Sequence, residues 1–337
     1  MRQSTILFLT FTFVLLEAGQ SFVILQSLRH GKPLQAVAGD SLTLFSPCKI
    51  NLFLRILRKR EDGYHDLASL FQAIGFGDDL TLKVLDDTSI SDSFSCNMEG
   101  VPTDSSNLVL RALQLMREKT GQNVYFDANL FKNCPAQAGL GGGSANAATA
   151  MFGCNELMGK PACQEQLIEW SAALGSDITF FLSQGTAFCT GRGEIITPQP
   201  PVGTGTPVTI CKPSVGLSTP AVFKSINYDL LRHDMEPQAL LDDFKKSGVV
   251  QATSYVNDLE PPAFINLPEL QQLKEELTSV HGFSHVMMSG SGTSIFCIGQ
   301  PSDKVSFEEK FGSREGLQIF YSEFINRLSD ETWYERP

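Results

Sequence analysis

Basic residues are scarce in this 337-residue sequence: 26 Lys and Arg stand against 37 Asp and Glu, and the formal net charge is -11. Nucleic acids and anionic membrane surfaces are bound by basic faces, so we expect neither as a partner. The one dense basic run (Arg55, Arg58, Lys59 and Arg60) is followed at once by two acids. We therefore interpret this run as a solvated hairpin tip.

The eight cysteines show neither a disulfide framework nor a zinc-binding pattern. There is no CxxC, and no Cys/His pairing has zinc spacing. Several cysteines, such as Cys154 and Cys297, lie within apolar or small-residue runs, where a reduced cysteine acts as a small hydrophobic residue. This distribution is typical of a reducing compartment.

The N-terminus lacks an apolar run long enough to span a bilayer. The run from Ile6 to Leu16 is followed by small residues at Gly19 and Ser21, which is typical of a signal peptide; a buried first strand or helix is the alternative. Residues 22–43 have scattered bases and a single acid, as plastid transit segments do. The two parts resemble the bipartite leaders of algae with complex plastids. We therefore predict a leader over residues 1–43, a location in the stroma of a complex plastid, and no membrane association after leader removal.

Strands and helices do not alternate regularly, which is typical of an α+β fold. We expect separate strands at Leu67–Ile74 and Leu80–Leu85, because glycines and aspartates lie between them, and we expect Ile178–Leu182 to be extended. The Pro- and Gly-rich stretch 198–207 is a candidate linker. It suggests an N-terminal domain over residues 44–198 and a C-terminal domain over residues 199–330.

A glycine-rich segment, Gly139–Ser144, comes directly before an alanine-rich run that predicts a helix from Ala145 to Met158. Glycines let backbone amides approach a ligand, and the free amides and dipole of a helix N-terminus favour phosphate. No GxxxxGK[ST] motif occurs, so this is not a Walker loop. A Rossmann loop is also disfavoured, since no acid lies at the ribose-binding offset. The alternative for the segment by itself is a helix entry packed for steric reasons.

Three further motifs are ambiguous when each is taken alone. Lys49 and Asn51 share one face of a predicted strand, which fits either a site or a solvent face. Asp177 precedes an apolar run, where it could take a proton or cap a helix. The Gly/Ser loop 289–294 is compatible with an ordinary tight hairpin.

Taken together and in this order, the motifs resemble those of the GHMP kinases, a superfamily of small-molecule kinases. The resemblance extends over Leu44–Ile298 and is most specific to a plastid and bacterial member that acts on a cytidine diphosphate-linked polyol. The segments that carry it are Pro47–Leu54, Asp62–Leu67, Gly139–Ala148, Leu174–Asp177, Ser218–Lys224 and Asn257–Pro261. It implies a two-domain GHMP kinase fold with the active site in the interdomain cleft, the N-terminal domain binding ATP, and Mg²⁺ as the metal.

The resemblance also implies residue roles. Asp177 would orient or deprotonate the acceptor hydroxyl, and Lys49 would stabilise charge beside it. The residues implied for ATP are Asn107, Pro135, Ala138, Gly139, Leu140, Gly141, Gly142, Gly143 and Ser144, with the Ser144 hydroxyl as a metal ligand as well. Those implied for the acceptor are Asn51, Tyr64, His65, Phe71, Thr219 and Phe223.

In this interpretation Tyr64 and Phe223 sandwich the cytosine ring while His65 reads its edge, although His65 alone would suit an exposed turn. Three positions depart from the family pattern: Cys48 and Ser176 stand where alanine is usual, and Ala145 replaces a serine of the phosphate loop. The alternatives are another GHMP kinase, of the homoserine or mevalonate type, and a non-catalytic nucleotide-binding relative. The oligomeric state does not follow from the sequence.

Overall fold

A computed structural model describes residues 36–231 and 235–337. The bounds of its strands and helices are as follows. The strands are β1 Ser41–Lys59, β2 His65–Val84, β3 Ser93–Cys96, β4 Phe126–Phe131, β5 Thr186–Thr190, β6 Ile195–Pro198, β7 Pro207–Pro213, β8 Phe283–Met288, β9 Ile295–Gly299 and β10 Leu317–Glu323. The helices are α1 Leu108–Thr120, α2 Gly142–Leu157, α3 Gln164–Ser171, α4 Ile178–Phe181, α5 Thr219–Lys224, α6 Pro237–Gln251, α7 Glu260–Asn266, α8 Pro268–Thr278 and α9 Lys304–Phe307.

The strands form two sheets, one from each half of the described chain. The first sheet has the order β3-β4-β2-β5-β6, with β1 antiparallel to β2 along most of its length. The second sheet has the order β10-β7-β9-β8 and is antiparallel throughout. Residues 199–206 connect the two sheets, at the place where the sequence suggests a linker.

Helix α2 packs on the first sheet and is buried on nearly all sides. Its residues from Ala145 to Asn155 are buried, because small side chains let the helix lie close to β1 and β2. Gly153 shows how close: an added Cβ there would lie 3.0 Å from the side chain of Leu82. The helix that begins at the glycine-rich segment is therefore anchored in the core.

Two local predictions are wrong. β2 is one continuous strand, because Gly77 lets it pass Ser46 closely; a Cβ on Gly77 would lie 2.0 Å from the Ser46 carbonyl oxygen. The segment Ile178–Phe181 is the helix α4 and not an extended segment. It is buried on all sides, so its continuous apolar pattern does not distinguish a strand from a short helix.

The predicted signal peptide and most of the transit-like segment lie outside the described residues. β1 begins at Ser41, so the predicted leader over residues 1–43 overlaps the first three residues of this strand. Across residues 36–231 and 235–337, the helices are all too short or too polar to cross a membrane.

Arg55 is not part of a solvated hairpin tip. Its side chain is buried, and its Nε donates to Asp258 Oδ2 at 2.8 Å; the same carboxylate oxygen accepts the Ile56 amide at 2.8 Å. The Asp258 amide in turn donates to the Leu54 carbonyl at 2.9 Å. This ion pair ties β1 of the first sheet to the segment before α7. Arg58 and Arg60 do lie at the exposed turn and pair with Asp66.

We expect Asp258→Ala to lower the free energy of unfolding by about 3–5 kcal/mol, because it removes a buried carboxylate that pairs with Arg55 and accepts the Ile56 amide. Urea denaturation followed by circular dichroism measures this. Asp66→Ala is the matched control, since its partner Arg58 is largely exposed, and it should destabilise the protein much less. Equal losses in the two variants would contradict the role assigned to the buried pair.

Candidate active site

Lys49 lies on β1 with its side chain buried, as the predicted strand face requires. Its Nζ donates to Asn51 Oδ1 at 2.8 Å, Asn51 Nδ2 donates to Ser69 Oγ at 2.8 Å, and Ser69 Oγ donates to the Phe53 carbonyl at 2.5 Å. The ammonium also lies 4.5 Å from the centroid of the Phe71 ring. This chain of contacts fixes one orientation of the lysine, so the face of β1 that carries it is not a solvent face.

Asp177 faces Lys49 across the cleft. The distance from Lys49 Nζ to Asp177 Oδ2 is 3.8 Å, and the aspartate side chain is one-third exposed whereas the lysine is buried. Burial lowers the pKa of Lys49 below its usual range, against the opposing effect of the Asp177 carboxylate. The carboxylate is thus open to a ligand and held beside a desolvated ammonium.

Asp177 occupies the N-cap position of α4, but its side chain makes no capping hydrogen bond within the described structure. Capping is therefore not what occupies this carboxylate. The preceding turn is held by other groups: the Ile178 amide donates to the Gly175 carbonyl at 3.3 Å, and Thr179 Oγ1 donates to the Ser176 carbonyl at 2.8 Å. The aspartate is left free to act on a ligand in the cleft.

The predicted phosphate loop, Gly139–Ser144, leads into α2, and this helix begins at Gly142, three residues before the predicted start at Ala145. Gly139 and Gly141 have φ values of 73° and 71°, which other residues rarely adopt. The first amides of α2 have no acceptor within the helix. Together with the helix dipole they form an anion-binding cradle.

A second glycine loop, residues 289–294, packs directly against the first. Ser289 Oγ donates to the Gly139 carbonyl at 2.9 Å, and the Ser294 amide donates to the Ala138 carbonyl at 3.1 Å. Because a Cβ on Gly139 would lie 2.2 Å from the Ser289 carbonyl oxygen, only glycine fits. The loop is therefore part of the site rather than a hairpin remote from it.

A buried charged cluster that the sequence did not predict lies against the phosphate loop. Lys132 Nζ donates to Asp78 Oδ2 at 2.6 Å and to Asn146 Oδ1 at 3.2 Å, and Asn146 Nδ2 donates to the same carboxylate at 2.9 Å. Asp78 Oδ1 also accepts the Cys134 amide at 2.7 Å. The cluster joins β2, the entry of the loop and the N-terminal part of α2. Nothing in the local pattern signals it, because its members are far apart in the chain.

Aromatic side chains gather at the other side of the cleft. The His65 and Phe223 ring centroids are 4.9 Å apart, and Tyr64 is exposed with the Arg192 guanidinium 5.1 Å from its ring. His65 Nε2 is 2.6 Å from the hydroxyl of Tyr228, a residue that sequence reasoning missed together with Arg192. Burial, and to a lesser extent Lys59, lowers the pKa of His65, which favours the neutral ring. The arrangement provides ring faces and one fixed imidazole.

Two cavities meet at the phosphate loop. The larger, about 1130 Å³, is lined by both members of the Lys49–Asp177 couple and by every residue predicted for the acceptor, including Thr219. The smaller, about 480 Å³, is lined by every residue predicted for ATP, including Pro135. Gln137, Gly139 and Gly141 line both cavities. A ligand in one cavity can therefore reach a ligand in the other across the loop.

Two predicted details look different in the structure. The Asn107 side chain is engaged within the protein, since Oδ1 accepts the Val109 amide at 2.8 Å and Nδ2 donates to the Pro102 carbonyl at 2.6 Å. Its contact with adenine stays a prediction. Ala145 is fully buried in the core, so a serine there would place its hydroxyl away from open space.

Comparison with known proteins supplies the family. The models for the GHMP kinases N terminal domain and the GHMP kinases C terminal match residues 107–185 and 235–315. The chain is 46% identical over 301 residues, 88% of its own length and 73% of the relative's, to the chloroplastic/chromoplastic 4-diphosphocytidyl-2-C-methyl-D-erythritol kinase of Solanum lycopersicum. The chain belongs to the GHMP kinase family.

Further relatives of this GHMP kinase agree. It is 45% identical over 294 residues to the 4-diphosphocytidyl-2-C-methyl-D-erythritol kinase of Protochlamydia amoebophila, covering 87% of this chain and 93% of that protein. A crystal structure of 4-(cytidine 5'-diphospho)-2C-methyl-D-erythritol kinase matches with a TM-score of 0.69 and 28% identity, covering 84% and 99% of the two chains. A homoserine kinase from Cytophaga hutchinsonii matches with a TM-score of 0.67 over 86% and 96% at only 17% identity, so it supports the fold alone.

We expect Gly139→Ala to abolish most kinase activity, because the new methyl group would meet the Ser289 carbonyl and separate the two glycine loops. Gly121→Ala is the matched control: its φ is 70° and nothing lies within 4 Å of the added Cβ. Both variants carry left-handed strain of about 1–2 kcal/mol. Turnover assays should show near-wild-type activity for Gly121→Ala only, and equal losses would refute the steric argument.

The alkaline limb of the kcat profile should reflect Lys49. Because burial lowers its pKa, the charged form is lost as pH rises through a value below the usual lysine range, and kcat should fall there. Lys49→Arg should lower kcat yet remove this limb, since guanidinium stays charged. The check is kcat between neutral and alkaline pH for both proteins; an unchanged limb in the arginine variant would assign it to another group.

Proposed function

We propose that this GHMP kinase transfers the γ-phosphoryl group of ATP to the 2-hydroxyl of 4-diphosphocytidyl-2-C-methyl-D-erythritol, in the non-mevalonate isoprenoid pathway. The observation that carries the proposal is the Lys49–Asp177 couple, 3.8 Å apart, in the larger cavity, which shares Gly139 and Gly141 with the smaller one. Relatives 45–46% identical over most of the chain bear the name of this kinase, which supports the same acceptor.

In the proposed reaction the ATP phosphates lie on the Gly139–Ser144 loop and the acceptor lies in the larger cavity. Asp177 takes the hydroxyl proton as the acceptor oxygen bonds to the γ-phosphorus. The bond from that phosphorus to the β,γ-bridging oxygen breaks, and ADP leaves. Lys49 stabilises the negative charge that builds up between the two ligands, a contribution that is large in a desolvated site.

Mg²⁺ would enter with ATP and neutralise phosphate charge. The Ser144 hydroxyl is the side-chain oxygen of the loop suited to hold it. Within the described ranges, no group of three or more His, Cys, Asp or Glu could hold a metal ion. This fits a cation held largely by phosphate oxygens and water, as is usual for Mg²⁺ in kinases.

The aromatic side of the cavity supports a cytidine-bearing acceptor. Tyr64 and Phe223 offer ring faces for stacking, and His65 offers a neutral ring nitrogen to the base edge. Homoserine and mevalonate have no ring to stack there. A non-catalytic nucleotide-binding role is disfavoured because both Lys49 and Asp177 are present and placed together.

We also propose a plastid location. Plant relatives are named as chloroplastic, and the sequence suggests a signal peptide followed by a transit-like segment. The finer proposal is the stroma of a complex plastid, reached through the secretory route. The predicted two-domain division at residue 198 likewise stays a proposal.

The test is steady-state phosphorylation of three acceptors by the purified protein: the cytidine diphosphate-linked methylerythritol, homoserine and mevalonate. The first should be preferred in kcat/KM by on the order of 100-fold or more, because the others leave the polar pocket groups unpaired. Phosphorus NMR of the product should place the new phosphate on the 2-hydroxyl. Equal or better use of homoserine would overturn the proposed acceptor.

The variants Asp177→Asn and Phe223→Ala test the catalytic couple and the acceptor pocket separately. The first should lower kcat with little change in the KM for ATP, because it removes an interaction made in the transition state. The second should raise the KM for the acceptor and leave the KM for ATP unchanged. An Asp177→Asn variant with wild-type turnover would point back to a non-catalytic role for this residue.

A further inference from the structure

The chain beyond the second sheet returns to the first sheet. We call residues 324–337 the C-terminal strap. The Ile325 amide donates to the Ala73 carbonyl of β2 at 3.1 Å. The ring centroid of Trp333 lies 4.6 Å from that of Phe152 on α2. Trp333 and Tyr334 are buried. The strap is thus a packed part of the N-terminal half, although it is distant from that half in sequence.

The strap binds the carbonyl groups that follow α4. Arg327 Nη1 donates to the Leu182 carbonyl at 3.0 Å, and the Tyr334 hydroxyl donates to the Ser183 carbonyl at 3.0 Å. The Arg327 amide donates to the Gln184 carbonyl at 3.1 Å. Three successive carbonyls at the end of the helix are therefore held by the strap. α4 has only four residues, and a helix of one turn does not persist without such tertiary contacts.

The opposite end of this helix is Asp177. The strap also reaches the strand that carries Lys49, because Trp333 Nε1 donates to the Phe45 carbonyl of β1 at 2.7 Å. One segment therefore contacts both α4, whose N-cap is Asp177, and β1, which carries Lys49. These two side chains are 3.8 Å apart. Neither Arg327 nor Tyr334 lines either cavity, so each could influence the reaction only through the elements that it packs against.

Burial of the Arg327 guanidinium is energetically unfavourable by itself. It is 5% exposed, its guanidinium lies 5.0 Å from the Trp333 ring and 5.8 Å from the Tyr334 ring, and its Nε has no hydrogen-bond partner in the described structure. Burying a charge without a carboxylate partner is unfavourable. Arg327 Nη1 donates to a carbonyl after α4 and its Nη2 donates to the Asp330 carbonyl of the strap at 2.8 Å, so the guanidinium joins the end of the helix to the strap.

We propose that the C-terminal strap positions the catalytic carboxylate: Arg327 and Tyr334 hold the end of α4 so that Asp177 stays beside Lys49. The inference rests on the proposed kinase function of this couple. Without the strap contacts, the short helix would shift and the carboxylate would retreat from the ammonium. Misplacing a catalytic group by about 1 Å can lower a rate on the order of 100-fold.

The test uses Tyr334→Phe in the full chain, which keeps the buried ring and removes one hydrogen bond to α4. We expect kcat to fall about tenfold, with the KM for ATP and for the acceptor changed less than about twofold, since only placement of the carboxylate is affected. The alkaline limb of kcat should also move to lower pH, because the Asp177 carboxylate raises the pKa of Lys49 and would do so less from farther away. Arg327→Gln should act in the same direction and more strongly.

Two controls separate positioning from loss of stability. Glu335→Gln changes an exposed residue of the same strap, directly after Tyr334, and should leave kcat unchanged. Leu277→Ala opens a cavity in the core beside the second sheet and should lower the melting temperature without moving the alkaline limb.

The inference fails if folded Tyr334→Phe keeps the wild-type kcat and alkaline limb, or if Leu277→Ala moves the limb equally. An inactive wild-type protein would instead refute the proposed function. An equal, normal kcat for the wild type and for Tyr334→Phe would refute only the positioning role of the strap.

Discussion

The close approach of two glycine loops is the constraint on which this structure depends. Gly139 lies so near the Ser289 carbonyl that no side chain fits between them, and Ser289 Oγ holds the Gly139 carbonyl. One loop comes from the first half of the chain and the other from the second sheet. Their contact joins the cavity lined by the phosphate loop to the cavity lined by Lys49 and Asp177.

β1 is the element that the surrounding contacts hold in place. Its Lys49 is oriented by Asn51, its Arg55 is paired with Asp258, and its Phe45 carbonyl accepts Trp333. Each of these interactions is buried, and buried polar groups carry a high cost when a partner is lost. The strand therefore has one position relative to both loops. A kinase needs this, because phosphoryl transfer depends on positioning and electrostatics more than on covalent chemistry by the protein.

The sequence predicts elements that depend on local contacts better than elements that depend on contacts between distant segments. The α2 helix and the loop before it could be predicted because glycine and alanine act through local backbone preferences. Ile178–Phe181 could not, since a buried one-turn helix has the same apolar pattern as a strand and is stabilised by the strap. Arg55 was misassigned for the same reason: its partner Asp258 lies 203 residues away.

By itself, the sequence determined the chemistry that is available: a glycine cradle before a helix, a lysine and an aspartate, and aromatic side chains for a base. These depend on residue type and near-neighbour spacing. Only the tertiary structure decided that Lys49 and Asp177 lie 3.8 Å apart, that Tyr228 and Arg192 join the aromatic cluster, and that the C-terminal strap holds α4. These arrangements depend on packing between segments far apart in the chain, which local patterns do not encode.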